Sequence, residues 1–368
     1  MNKKEPEFPQ YYKPRAYRNA AVRLRSSNIK DFDDRKEELK RAGLNVFLFR
    51  SDLIPGCDLL SDSGTTTMTM EQWSQLLLGD EAYGSNEGYF KLKKQIKDTF
   101  GKDWISAKKN VQNLYIFHQG RACEYALFTT LSNTLKKIQY KKTILIEPIT
   151  EDMLGELPDE LKPRVKIKYN KIMAKQKDFE KKAPSFLIPS NTYFDTTEAN
   201  IESSNIVPVN LPCEEYENNI LDFHFKGNMN LHNLENLIKW NKERIPLIYI
   251  TITNNTGGGQ PVSMENIKKT SDIAKKNKIP LFFDACRFAE NAWFIEKNEK
   301  GYEGKEIKEI VREMFGYIDG FHISFKKDGL VNIGGAILIK SNTIFTEKYP
   351  DFSSELTDHQ ILTEGHPT

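Results

Sequence analysis

Two charged residues stand where apolar runs end. Lys327 lies in Ser324-Phe325-Lys326-Lys327-Asp328, followed by Asn332-Ile333-Gly334-Gly335. A lysine after a strand, facing a sheltered site, is the residue type that forms a Schiff base with a carbonyl. Ser324 and Lys326 suit a phosphate beside it, and the paired glycines allow close backbone approach. Taken alone, a lysine in so lysine-rich a chain reads as surface. Asp284 closes Leu281-Phe282-Phe283, a run too apolar to welcome an unpaired charge. A carboxylate there suits a protonated pyridine nitrogen, the partner that makes pyridoxal phosphate (PLP) an electron sink. Arg287, three residues on, is in reach of that cofactor's phenolic oxygen. A buried structural Asp284–Arg287 pair explains the same segment equally well.

Three further stretches could serve a flat, phosphorylated ligand. In Gln119-Gly120-Arg121 the glycine lets backbone amides face an anion, and arginine binds phosphate in a bidentate fork. An ordinary polar turn fits His118 to Arg121 too. Tyr193-Phe194-Asp195-Thr196-Thr197 offers an aromatic ring for stacking, although a core aromatic at a strand end is the commoner case. Asn254 to Ser263 holds Gly257-Gly258-Gly259 between strand and helix. It lacks both the dinucleotide and the Walker glycine spacing, which excludes those two phosphate loops.

The elements that must position these residues are clearest in the second half. Ile245 to Thr253 reads as a buried strand, Ser263 caps a helix to about Asn277, and Pro280 to Asp284 is a second strand. Ile307, Ile310, Val311, Met314 and Phe315 form one helical stripe. Gly320 to Ser324 and Gly335 to Lys340 are further strands. Alternating strands and helices imply α/β architecture with a largely parallel sheet. Such sheets bind ligands beyond the carboxyl ends of their strands, where Asp284 and the Lys326-Lys327 pair fall. Upstream, 1–30 is a polar, proline-containing arm, Asp31 to Ala42 is helical, Asp62 to Thr67 is a hydroxyl-rich loop, and Leu92, Ile96 and Phe100 recur at helical spacing.

The chain has 368 residues, 39% of them hydrophobic and 28% charged, enough for a large core. Its formal charge of +2 gives no electrostatic case for nucleic acid or an anionic membrane as partner. The four cysteines form no C-x-x-C pair, which excludes a zinc ribbon or redox dithiol and suits a reduced, cytoplasmic protein. No signal-peptide pattern opens the chain, and no apolar run reaches the ~18–20 residues of a membrane helix. Lysines crowd 136–182, which reads as a solvated surface insertion, bounded at about 131–185.

Read in order, these marks resemble the tryptophanase and tyrosine phenol-lyase family of PLP-dependent β-eliminating lyases. The marks are Asp62-Ser63-Gly64-Thr65, Gly79-Asp80-Glu81-Ala82-Tyr83, His118-Gln119-Gly120-Arg121, Tyr193 to Thr197, Gly258 to Ser263, Asp284 to Ala292, Lys326-Lys327-Asp328 with Asn332 to Gly335, and Glu364 to Thr368. The resemblance runs from about Ala42 to the last residue. It implies the PLP-dependent transferase fold of aspartate aminotransferase (fold type I), a mostly parallel sheet flanked by helices. Residues 1–60 would be arm and linker, 61–340 the large PLP-binding domain, and 341–368 the start of a C-terminal segment.

The resemblance also assigns roles. It makes Lys327 the Schiff-base lysine and sets Gln119, Gly120, Arg121, Ser324 and Lys326 around the phosphate. It puts Phe194 on the ring face, Asp284 at the pyridine nitrogen, and Asn255 and Arg287 near the phenolic oxygen. Tyr83 matches a general acid contributed across a subunit interface, in a homo-oligomer (a dimer of dimers) with shared sites. Gly64, Glu81 and Asn332 match a monovalent-cation site, usually potassium. Asp195, after the stacking phenylalanine, is aspartate in tryptophanases and threonine in tyrosine phenol-lyases, so tryptophan is the favoured aromatic substrate. The stretches Glu303 to Gly316 and Gly320 to Gly335 lean toward the phenol-lyases. Phe117, Ala122 and Cys123 depart from the family's phosphate turn. The family continues past the position of Thr368 into a small domain holding the arginine for the substrate carboxylate. The resemblance therefore implies either a fragment or larger piece of a split lyase, or a non-catalytic relic acting as a binding protein.

Overall fold

The computed structural model describes residues 32–50, 53, 70–80, 86–108, 111–143, 158, 161–167, 185–218 and 220–365. Helices α1 (Phe32–Arg41), α2 (Met70–Leu77) and α3 (Glu87–Phe100) precede strand β1 (Leu114–Phe117) and the long helix α4 (Gly120–Thr143). Then come β2 (Phe186–Ser190), α5 (Asp195–Ser203), β3 (Ile206–Asn210), α6 (Leu231–Asn241) and β4 (Ile248–Thr251). The second half continues with α7 (Met264–Asn277), β5 (Leu281–Asp284), α8 (Phe288–Asn298), α9 (Ile307–Gly316), β6 (Gly320–Ser324), β7 (Gly335–Ile339), α10 (Ile344–Lys348) and α11 (Phe352–Thr363).

The strands form one seven-stranded sheet in the order β1-β7-β6-β5-β4-β2-β3. Every neighbouring pair is parallel except those of β7, which runs against both β1 and β6. The expected α/β class with a largely parallel sheet is what forms. Strands β4 to β7 are buried at every position, as an inner sheet covered on both faces requires. Alternation sends Phe283 to one face and Phe282 to the other. On the first face lie α3, α6, α7, α8 and α9, with Phe100, Trp104, Phe315 and Phe321 in mutual edge and tilted contact. On the second lie α4, α5, α10 and α11.

Helix starts follow their capping residues. The side chains of Asn86, Asn230 and Ser263 each accept a hydrogen bond from the amide three residues on. The helical stripe of α9 buries Ile310, Val311, Met314 and Phe315 as its spacing dictates. Strand β4 is shorter than the apolar run 245–253, because Thr253 takes φ +52 and turns the chain out of the sheet. The lysine-rich insertion begins later than 131. Helix α4 continues to Thr143, and Leu131, Ser132, Thr134 and Leu135 are buried in the second core layer or beside it. In 341–365, Phe345, Phe352 and Leu356 are core residues of the same layer, so they pack against the sheet. Among the described residues no helix is long and apolar enough to cross a membrane.

Candidate active site

The carboxyl ends of β4, β5 and β6 open onto a cavity of about 550 Å³. That is within the ~300–1,000 Å³ typical of small-molecule sites. All ten residues assigned above to a cofactor line it: Gln119, Gly120, Arg121, Phe194, Asn255, Asp284, Arg287, Ser324, Lys326 and Lys327.

Each is delivered by a local feature. Gln119 to Arg121 form the turn from β1 into α4, so the first amides of a 24-residue helix face the cavity. A Cβ on Gly120 would lie 2.7 Å from Ser324 Cβ, so only glycine lets this turn close onto the end of β6. Gly335 serves the same packing from the other side. Its Cβ would meet Gln119 carbon at 2.6 Å and Cys123 sulfur at 2.9 Å. The substituted turn residues are accommodated inward, with Phe117 and Cys123 buried in the core.

The loop between β6 and β7 carries Lys326 and Lys327. It is closed by Phe325 N to Gly334 O (3.0 Å) and Val331 N to Phe325 O (3.2 Å). The Lys327 ammonium Nζ lies 3.5 Å from Ser324 Oγ. Asp328 accepts hydrogen bonds from the amides of Ala289 and Glu290 (2.7 and 3.1 Å) and thereby fastens the lysine loop to the start of α8. Burial pushes the Asp328 carboxyl up to about 6, against the pull of those amides and Arg287. Asp284 ends β5, is 4% exposed, and accepts from the Cys286 amide at 3.3 Å. The Cys286 thiol is pushed up to about 11, mainly by burial and then by the charge of Asp284, so it stays protonated.

The two aromatics of the 193–194 pair separate. Tyr193 is buried, its hydroxyl donating to Ile188 O at 2.6 Å, while Phe194 lines the cavity. Asp195, the first residue of α5, is exposed, and accepts from Thr256 Oγ1 at 3.0 Å outside the cavity lining. Asn332 sits in the lysine loop, also away from that lining. Gly64, Glu81 and Tyr83 lie outside the described residues.

Residue types and shape fit PLP. The cavity offers two buried carboxylates, Asp284 and Glu124, the lysine Lys327, a flanking aromatic ring, and a helix N-terminus with Arg121 and a second lysine, Lys326, for a phosphate. Sequence reasoning did not single out Glu124, Tyr249 and His322. Glu124 lines the cavity, and His322 is wholly buried opposite Asp284 in the β5–β6 register. A histidine inside the otherwise apolar run Gly320 to Ile323, on a strand buried on both faces, was the available signal.

Comparison with known proteins points to one family. The family model "Beta-eliminating lyase" matches residues 58–150 and 165–350. A probable beta-eliminating lyase of Trichomonas vaginalis is 39% identical over 305 residues, covering 83% of this chain and 54% of that protein. A tryptophanase of Salinibacter ruber is 34% identical, covering 91% of this chain and 57% of its own length. A tyrosine phenol-lyase of Lacrimispora saccharolytica is 35% identical, with 91% and 58% covered. The chain thus spans a little more than half the length of these relatives. With the family model matched over most of its residues, the chain belongs to the beta-eliminating lyase family.

Proposed function

We propose that this chain forms the PLP-binding part of a lyase that eliminates the side chain of an aromatic amino acid, with tryptophan as substrate and indole, pyruvate and ammonia as products. The observation that carries the reading is the convergence of Lys327, Asp284 and the Gln119–Arg121 turn on one cavity. When bound there, PLP supplies the electron sink for the carbanion at the substrate Cα. Arg121, Lys326, Ser324 and the amides at Gln119 and Gly120 bind the phosphate. Phe194 covers one ring face and excludes water. Asp284 holds the proton on the ring nitrogen, and Asn255 and Arg287 meet the phenolic oxygen. Lys327 Nζ would take the Cα proton as general base. Tyr83 is the proposed proton donor to the leaving ring, and Gly64, Glu81 and Asn332 the proposed holders of potassium. A homo-oligomer with shared sites, in the cytoplasm, completes the reading.

The test is direct. Borohydride reduction of the protein with PLP should attach the cofactor covalently, and peptide mapping should place it on Lys327. Attachment at Lys326, or none with PLP in excess, would refute the reading and leave a non-catalytic member of the family.

Substrate choice turns on Asp195. It follows Phe194 in sequence at the N-terminus of α5, and the proposal is that its carboxylate takes the indole N–H. Asp195→Thr should lower indole release from tryptophan about tenfold more than pyruvate release from a cysteine conjugate with a good leaving group, a difference of ~1.4 kcal/mol. Equal losses on both would make Asp195 structural. Phenol release from tyrosine outpacing indole release in the parent would identify a tyrosine phenol-lyase instead.

A further inference from the structure

Behind Asp284 lies a buried polar group for which the proposed reaction has no use. His322, on β6 between its sheet neighbours β5 and β7, is fully buried where that strand packs against helix α4. Its Nδ1 bonds the hydroxyl of Tyr249, a fully buried residue of β4. Its Nε2 has no hydrogen-bond partner at ordinary distance, yet it points between two carboxylates, Glu124 Oε1 at 3.5 Å and Asp284 Oδ1 at 3.6 Å.

Glu124 is 3% exposed, and its oxygens accept from Thr196 Oγ1 (2.7 Å), Thr197 Oγ1 (3.0 Å) and Asn200 Nδ2 (3.1 Å) on α5. These three contacts from α5 fix the Glu124 carboxylate where it faces the His322 ring. Two carboxylates therefore converge on one imidazole inside the core. Two negative charges so placed cannot both persist without a compensating cation. An imidazolium supplies it, with Nδ1–H donating to Tyr249 and Nε2–H directed at the acids. The Cys286 thiol also faces the ring and stays neutral, as does the Tyr249 hydroxyl, pushed well above its ordinary range by burial and by Asp284 and Glu124. Burial by itself would lower the His322 pKa, but Asp284, Cys286 and Glu124 together raise it well above the ordinary histidine value.

We propose that His322 is a positioning residue that acts through Asp284: as an imidazolium balancing Glu124, it leaves Asp284 ionised and free to accept the ring N–H of the cofactor. This rests on the PLP reading given above. Without the imidazolium, one proton must settle on the Glu124–Asp284 pair, and cofactor binding must then expel it.

The experiment has a cofactor-free arm and a cofactor arm. In the apo chain, ring-15N NMR, with the His322 signal identified by its loss in His322→Asn, should show an imidazolium persisting above pH 8. A neutral ring at pH 7 overturns the proposal whether or not PLP binds. In the second arm, the PLP dissociation constant is measured from pH 6 to 8 by cofactor absorbance. The parent should be nearly flat. His322→Asn should weaken as pH falls, by up to about tenfold per unit while one proton is displaced. His322→Asn combined with Glu124→Gln should be flat again, since one carboxylate is gone. A packing role for His322 would give equal weakening at every pH and no rescue, and would also overturn the proposal. Should His322→Asn not fold, His322→Gln and the NMR of the parent decide. Failure of the parent to bind PLP at all would instead refute the PLP reading, leaving the NMR result to stand by itself.

Discussion

Lys327→Ala is expected to reduce covalent cofactor attachment after borohydride treatment to background and to slow exchange of the substrate α-proton by about 10²- to 10⁴-fold, the usual contribution of a positioned general base. Exchange into D₂O, followed by proton NMR, isolates proton abstraction from departure of the side chain. The parent's exchange rate should therefore depend on Lys327 and not on any leaving-group acid. Structural damage should be small. Lys327 is only partly buried, its side-chain hydrogen bond to Ser324 Oγ is long, and Asp328 anchors the loop independently. Lys326→Ala is the control. It should keep α-proton exchange near the parent value at saturating PLP while weakening cofactor affinity. Comparable exchange rates in Lys327→Ala and the parent would remove Lys327 from the chemistry.

Asp284→Ala is expected to weaken PLP binding by about 10- to 100-fold. A hydrogen bond to a charged partner is worth about 1.5–3 kcal/mol, at ~1.4 kcal/mol per decade. Equilibrium titration of the apo protein checks this, and an unchanged constant would place the cofactor's ring nitrogen elsewhere. The alanine variant should also be no less stable than the parent without cofactor. It removes one of two carboxylates crowded on His322, leaving the Glu124–His322 pair balanced. Thermal unfolding of both apo proteins at pH 7 would show it.

Much of this site is legible in the sequence because parallel sheets deliver chemistry to one edge. Asp284 terminates an apolar run, Lys327 follows another, and the run lengths fix which end of each strand they occupy. The Gln119–Arg121 turn was legible as an anion site, but its closeness to Ser324 was not. That contact arises from strand order, and strand order depends on pairings more than 200 residues apart. Glu124, Tyr249 and His322 escaped for a related reason. Each sits on a different element, and only the register of β4, β5 and β6 with α4 behind them brings the three together. The misplaced start of the lysine-rich insertion has a local cause. Lys136 and Lys137 project from the solvent side of α4, whose opposite side is core, so composition shifted before the helix ended.

The placement of β7 bears on how the protein is made. β1 has one sheet neighbour, β7, and the side-chain Nδ2 of Asn113 just before it donates to Ile339 O at 2.7 Å across 226 residues. On a ribosome moving at about 5–20 residues per second, some 11–45 s separate the synthesis of these partners. Throughout that interval Leu114-Tyr115-Ile116-Phe117 is an apolar strand with no ladder to join, a segment that chaperones would have to shield. The turn it carries into α4 cannot meet Ser324 and Gly335 until those residues have emerged. The turn proposed to bind the phosphate is thus written early in the chain and assembled late, so cofactor capture should follow synthesis of β7 rather than accompany growth of the sheet.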